Sequence, residues 1–196
     1  MNHPFSRILF LSAACAALPA IGFAQSMSMS SNAMAGSADP MVGGAAMYPT
    51  KNIVANAVNS KDHTTLVAAV KAAGLVPTLE GPGPFTVFAP TNEAFDALPP
   101  GTVTDLLKPA SKPTLTKILT YHVVSGKYDV AELKALIVKG NGTAMLPTVA
   151  GPDLTFKMSG MDVEVIDAKG GAADITIPDV NQSNGVIQVV NKVLIP

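Results

Sequence analysis

Tryptophan is absent from this 196-residue chain, cysteine occurs once, histidine three times, and charged residues make up only 14%. The charges that exist nearly cancel, 13 Lys and Arg against 14 Asp and Glu. Each shortage excludes something. A surface that tracks phosphates needs clustered Lys and Arg, so neither DNA nor RNA is an expected partner. A lone Cys15 can close no intrachain disulfide and build no thiolate cage for a metal. No G-x-S-x-G elbow, H-E-x-x-H helix, P-loop or dinucleotide-binding glycine fingerprint occurs, and beyond the leader only His63 and His122 could act as imidazole bases. Glu93 and Asp96 stand three apart at a helix start, where the helix dipole favours negative charge, and are read as an exposed face. The sequence therefore assigns no catalytic residue, no cofactor and no metal site, and an enzyme is not expected.

What is present begins with an address. Asn2, His3 and Arg7 give a short polar, basic start, and Ile8 to Gly22 an apolar run broken only by Ser12 and Pro19. The run is shorter than the roughly 20 residues a spanning helix needs and ends in the small residues of a signal-peptidase site, so residues 1–24 read as a secretory signal cleaved after Ala24. Ser12 stands where a lipoprotein box carries a large aliphatic residue, which argues against an anchor on Cys15. Export places the chain in the periplasm or outside the cell, with no membrane-spanning segment left after cleavage.

Residues 25–47 are rich in Ser, Ala, Gly and Met and have no apolar period of 2 or 3.6, so they read as a flexible tether. Five methionines fall in it, Met27, Met29, Met34, Met41 and Met47. Thioether sulfur is a soft ligand, and Met27-x-Met29 brings two together, so capture of Cu(I) is a second expectation for this stretch.

The remaining span, 48–196, has the size of one domain. Ile53, Val54, Ala57 and Val58 predict one short amphipathic helix, and Leu66, Ala69, Val70 and Ala73 a second that stops at Gly74 before Pro77. The Gly81-Pro82-Gly83-Pro84 cluster predicts a turn and Phe85 to Ala89 a buried strand, after which Thr91 caps a helix through Phe95. Further helical periods lie at Val103–Leu107, Leu115–Leu119 and Val130–Ile137. Strands are expected at Ala144–Val149, Leu154–Met158, Val163–Ile166, Ala173–Ile177 and Gly185–Ile195. Helices gathered early and strands gathered late predict an α+β domain, and disfavour a doubly wound nucleotide-binding sheet.

Three segments carry a resemblance. Gly83-Pro84-Phe85-Thr86-Val87-Phe88-Ala89-Pro90-Thr91-Asn92-Glu93-Ala94-Phe95 resembles the first signature of the fasciclin (FAS1) family, and the run from Ser183 to Pro196, which opens Ser-Asn-Gly-Val-Ile-Gln-Val-Val, resembles the second. Between them Leu119-Thr120-Tyr121-His122-Val123-Val124 looks like the family's Tyr-His motif. The resemblance covers roughly Asn52 to Pro196 and implies a wedge-shaped β-sheet core decorated with short helices. It also implies adhesion or matrix contact, with a surface or matrix protein or a glycan as partner and the domain as a monomer. Tyr121 and His122 enter as motif residues. Pro178, Asp179 and Val180 occupy the place where animal members carry integrin-binding sequences, but Ile177 and the residues beyond Val180 depart from that pattern, so integrin binding is not carried over and Asp179 is read as capping a turn. Gln188 stands where the family often has histidine. Asn92, Asn184 and Gly185 are assigned structural roles: Asn92 as the expected hydrogen-bond partner of His122, and Asn184-Gly185 as a turn tolerant of positive φ. The sequons at Asn141 and Asn181 are expected to be unmodified, because the leader and the lack of mature cysteine suit a bacterial source.

Overall fold

A computed structural model describes residues 39–196. The proposed leader, with Cys15, and Met27, Met29 and Met34 lie outside the described residues. The first elements are two short strands, β1 (Met41–Val42) and β2 (Ala45–Ala46), paired antiparallel through Gly43-Gly44. This hairpin corrects the tether, because Val42 and Met47 are each only 2% exposed and join the main core. The Met47 N–H donates to Pro40 O at 3.0 Å, and Lys61 N–H to Gly43 O at 3.2 Å, so the hairpin is closed on itself and stitched to the chain at Lys61. Two buried side chains in a run of small residues produce no periodicity, which is why the sequence reads as structureless there.

Helix α1 (Ile53–Ala57) is capped by Asn52, whose side-chain oxygen accepts from Ala55 N–H at 2.7 Å. Helix α2 (Thr64–Ala73) ends at Gly74 in the left-handed region, φ 76°. Pro77 does not stop the chain from turning again: it lies in the first turn of α3 (Val76–Leu79), where a missing N–H leaves no helical bond unmade. Strand β3 (Phe85–Pro90) leads to α4 (Asn92–Asp96), capped by Thr91 as its sequence predicts. Then come α5 (Thr102–Leu106), α6 (Lys112–Tyr121), β4 (Val123–Ser125) and α7 (Val130–Lys139), the last capped by Asp129. The second half is strands: β5 (Thr143–Pro147), β6 (Asp153–Ser159), β7 (Asp162–Ile166), β8 (Ala172–Gln182) and β9 (Gly185–Val190).

Seven strands form one sheet in the order β4-β3-β9-β8-β7-β6-β5. Only β3 and β9 run parallel, Phe85 opposite Gly185 through Pro90 opposite Val190, so the two signature segments lie side by side in the middle of the fold. Every residue of β9 and all but the first of β3 are buried, as expected for strands covered on both faces. On one face Val87, Ile187 and Val189 pack with Leu66, Val70, Phe95 and Leu119. On the other, Phe88 and Val190 pack with Leu133, Ile137 and Phe156, the Phe88 and Phe156 rings 5.4 Å apart. Each such burial contributes on the order of 1.5 to 3 kcal/mol. Among the described residues the one salt bridge, Lys108 to Asp105 at 2.6 Å, is exposed and adds little. The architecture is α+β, as the order of elements predicts.

The last strand is shorter than its sequence implies. β9 ends at Val190, and beyond it the backbone N–H groups of Leu194 and Ile195 donate to the side chains of His122 and Asp167 instead of to a neighbouring strand.

Candidate functional site

The polar side chains of the signature segments hold the fold from within. His122, 2% exposed, donates from Nδ1 to Ile118 O at 2.8 Å and accepts at Nε2 from Leu194 N–H at 3.0 Å. The carbonyl of Ile118 can only accept, which fixes the proton on Nδ1 of a neutral ring. Burial pushes its pKa down to about 4, outweighing the hydrogen bond to Ile118 and the nearby carboxylate of Asp167, which both act upward. Asn92 is not its partner. The Asn92 amide oxygen accepts from Thr65 N–H at 3.1 Å and Thr64 Oγ1 at 3.2 Å, while its nitrogen donates to Lys61 O at 2.7 Å, so it fastens α4 to the start of α2. Tyr121 is wholly buried; its hydroxyl donates to Asp153 O at 3.1 Å and accepts from Ala168 N–H at 2.9 Å, and burial raises its pKa.

Asn184 reaches across the sequence to three backbone groups: it accepts from Ile53 N–H at 3.1 Å and donates to Leu79 O at 2.7 Å and Gly81 O at 3.0 Å. Gly185 does not adopt a positive φ, contrary to the turn reading; glycine is required because a Cβ there would overlap the backbone of Phe85 on β3. Asp179, not Asn184, takes the left-handed conformation, φ 55°. Its carboxylate accepts from Val130 N–H at 2.8 Å and from Gln188 Nε2 at 2.9 Å, next to the Asp129 cap of α7. Gln188, fully buried, returns a bond from Asp179 N–H at 3.0 Å. Val180 is a core residue, and only Pro178 of the Pro178-Asp179-Val180 group is exposed. Tyr121, His122 and Val180 thus have no side-chain surface to offer a partner.

Asn56 and His63 are buried polar residues whose structural roles the sequence does not disclose. Asn56, inside α1, donates to Tyr48 O at 2.7 Å and to the side chain of Gln182, and accepts from Tyr48 N–H at 3.2 Å. His63 pairs through Nδ1 with Ser60 Oγ at 3.0 Å, leaves Nε2 without a hydrogen-bond partner among the described residues, and has its pKa lowered chiefly by burial. Only their partners, far away or on the other side of a turn, reveal these roles.

A cleft opens between the helices and the sheet. Its floor is Val87, Ala89, Ile187 and the carbon face of His122; its walls come from α1, α2, α3 and α6, among them Val54, Leu66, Val70 and Leu119. Its cavity volume is about 70 Å³, and Lys71, Thr78 and Thr120 stand among its lining residues. Valine and leucine dominate the lining. Because both ring nitrogens of His122 are engaged elsewhere, even the histidine presents an apolar wall. Among the described residues no group of three or more His, Cys, Asp or Glu is placed to hold a metal ion.

The fold and its internal anchors define a domain class, and comparison with known proteins gives it a family. The fasciclin domain model matches residues 61–196. Protein sll1483 of Synechocystis sp. is 46% identical over 156 residues, covering 80% of this chain and 79% of that protein. The cell surface glycolipoprotein MPB83 of Mycobacterium bovis is 33% identical over 158 residues, 81% of this chain and 61% of its own length. The structure of a FAS1 domain pair from the insect cell adhesion molecule Fasciclin I superposes with a TM-score of 0.66 at 18% identity, over 74% of this chain and 51% of that one. The chain belongs to the fasciclin domain family.

Proposed function

We propose that this chain works beyond the cytoplasmic membrane as a non-catalytic adhesion or binding module, holding a surface or matrix protein or a glycan. The observation that carries this reading is the use of the motif side chains. Tyr121, His122, Asn184 and Gln188 all spend their side-chain polar atoms on internal bonds, and Asp179 spends one carboxylate oxygen so, so the signature supports a rigid body and leaves recognition to the outer surface. Family membership supports it too, since one relative is named as a cell surface glycolipoprotein and the fold neighbour as a cell adhesion molecule. The leader-like residues 1–24 agree with export, and among the described residues no helix is long and apolar enough to cross a membrane.

The test is capture from intact cells and their extracellular matrix by the immobilised protein, with and without Cu(I), and again after deletion of residues 25–38. The deletion stops before Met41 because β1 belongs to the domain core. Copper-independent capture that survives the deletion supports the adhesion reading. Capture that appears only with Cu(I) and vanishes with residues 25–38 overturns it in favour of metal handling by the methionines.

A further inference from the structure

We infer that the hairpin at residues 39–47 is an acid-released strap, seated over a neutral His63 at pH 7 and lifted off the domain when that ring is protonated. The hairpin stands apart from the seven-stranded sheet and rests on the segment that carries His63. Its turn is pressed against that segment: a Cβ on Gly43 would fall 2.5 Å from Ser60 Oγ and 2.6 Å from Asp62 N, and Lys61 N–H donates to Gly43 O at 3.2 Å. Ser60 Oγ in turn pairs with His63 Nδ1 at 3.0 Å. Val42 and Met47, the two buried side chains of the hairpin, share with His63 the lining of a cavity of about 10 Å³, whose other walls are Ala57, Ala89, Val180 and Ile187. The imidazole therefore has a hydroxyl at one nitrogen and an apolar enclosure that the hairpin helps to close.

A charged ring in that enclosure is poorly supported. The Ala89 carbonyl and the neighbouring Asp62 favour the proton, but burial outweighs both and holds the pKa below the ordinary 6.5. The strands of the hairpin, α1, β3 and β9 carry no titratable side chain. Asp179 on β8 is turned to Val130 and Gln188, and Lys61, Glu93 and Asp96 are exposed. Because the docked ring has the lower pKa, docking is fully favoured above about pH 6.5 and loses ground as pH falls. The hairpin is the side that yields. Its two-residue strands pair only with each other, and among the described residues one hydrogen bond, Lys61 N–H to Gly43 O, joins it to the rest. The segment under it is fastened by Asn92 to Lys61 O and Thr65 N–H. Tyr48 is held by Asn56 through both its N–H and its carbonyl, which places the hinge between Met47 and Tyr48. Local opening of so lightly attached an element needs far less than global unfolding.

The experiment is oxidation of the purified full chain by hydrogen peroxide at pH 7.5 and pH 5, with Met47 followed by peptide mass spectrometry against Met161, which is 84% exposed and serves as the internal standard. Hydrogen exchange of the same samples, corrected for intrinsic rates, separates opening of the hairpin from unfolding of the central strand β9. The Met47 to Met161 rate ratio should rise roughly tenfold on acidification, while β9 amides stay protected. His63→Gln, which cannot take up the proton, should remove the rise. Should that variant fail to fold, Asp62→Asn, at an exposed position, replaces it and should move the onset of Met47 oxidation to lower pH, because it deletes a charge that favours the proton. Met47 oxidation that ignores pH, a rise that survives His63→Gln, an onset unmoved by Asp62→Asn, or β9 exchanging together with the hairpin overturns the strap.

Discussion

His122 Nε2 accepts the backbone N–H of Leu194 at 3.0 Å, a bond that spans 72 positions and ties the end of α6 to the last segment of the chain. The ring is fully buried and held neutral, its pKa lowered from 6.5 to about 4 by desolvation. An unfolded chain therefore binds this proton at a higher pH than the folded one. The stability that depends on the neutral ring is complete above about pH 6.5 and is lost as pH falls through about 4. At about 1.4 kcal/mol per pH unit the whole loss is about 3 kcal/mol. His63, also depressed by burial, acts with the same sign. Urea midpoints should fall between pH 7 and pH 4.5 in the natural chain, and fall less steeply in His122→Ala, which should already be about 2 to 4 kcal/mol less stable at pH 7. A midpoint that stays flat or rises on acidification contradicts this account.

Asn92 and His122 share no hydrogen-bond partner, so their contributions should be independent. Asn92→Ala removes the fastening of α4 to α2 and should cost about 1 to 2 kcal/mol. The double variant should equal the sum of the singles within about 0.5 kcal/mol in urea denaturation. A coupling larger than that would restore the direct pairing that the structure replaces.

Gly185 is the point where the second signature passes closest to the first. A Cβ would strike backbone atoms of Phe85, which cannot rotate aside, so Gly185→Ala should lose about 3 kcal/mol or more, or fail to fold. Gly101→Ala provides the comparison: its φ is 87° but a Cβ there meets nothing within 4 Å, so only backbone strain of about 1 to 2 kcal/mol is expected. Thermal unfolding of the two variants side by side checks the ordering.

The hairpin before α1 has its own test. Met47 is 2% exposed and Met41 59%. Met47→Ala should cost about 2 to 5 kcal/mol, as for a buried methionine, and Met41→Ala less than about 0.5. Neutral behaviour in both would return residues 41–47 to the tether.

Much of this fold is legible in the residues. The turn glycines and prolines before Phe85, the Thr91 cap and the alternating strands of the second half are local signals, and each element forms where its pattern places it. What the sequence conceals is non-local. Val42 and Met47 are buried by elements later in the chain, and His122 finds its partner in a segment whose pattern reads as strand. The role of Gly185 depends on the parallel pairing of β3 with β9, which neither strand announces alone. The cleft is least legible of all, because it exists only once four helices and the sheet are assembled.

The central claim, a folded module that binds at cell surfaces, is tested most directly by a binding isotherm of fluorescently labelled residues 39–196 on intact cells, with unlabelled protein as competitor. Saturable, copper-independent binding that the unlabelled domain displaces is the predicted result. Binding that never saturates, or that unlabelled protein fails to displace, would contradict it.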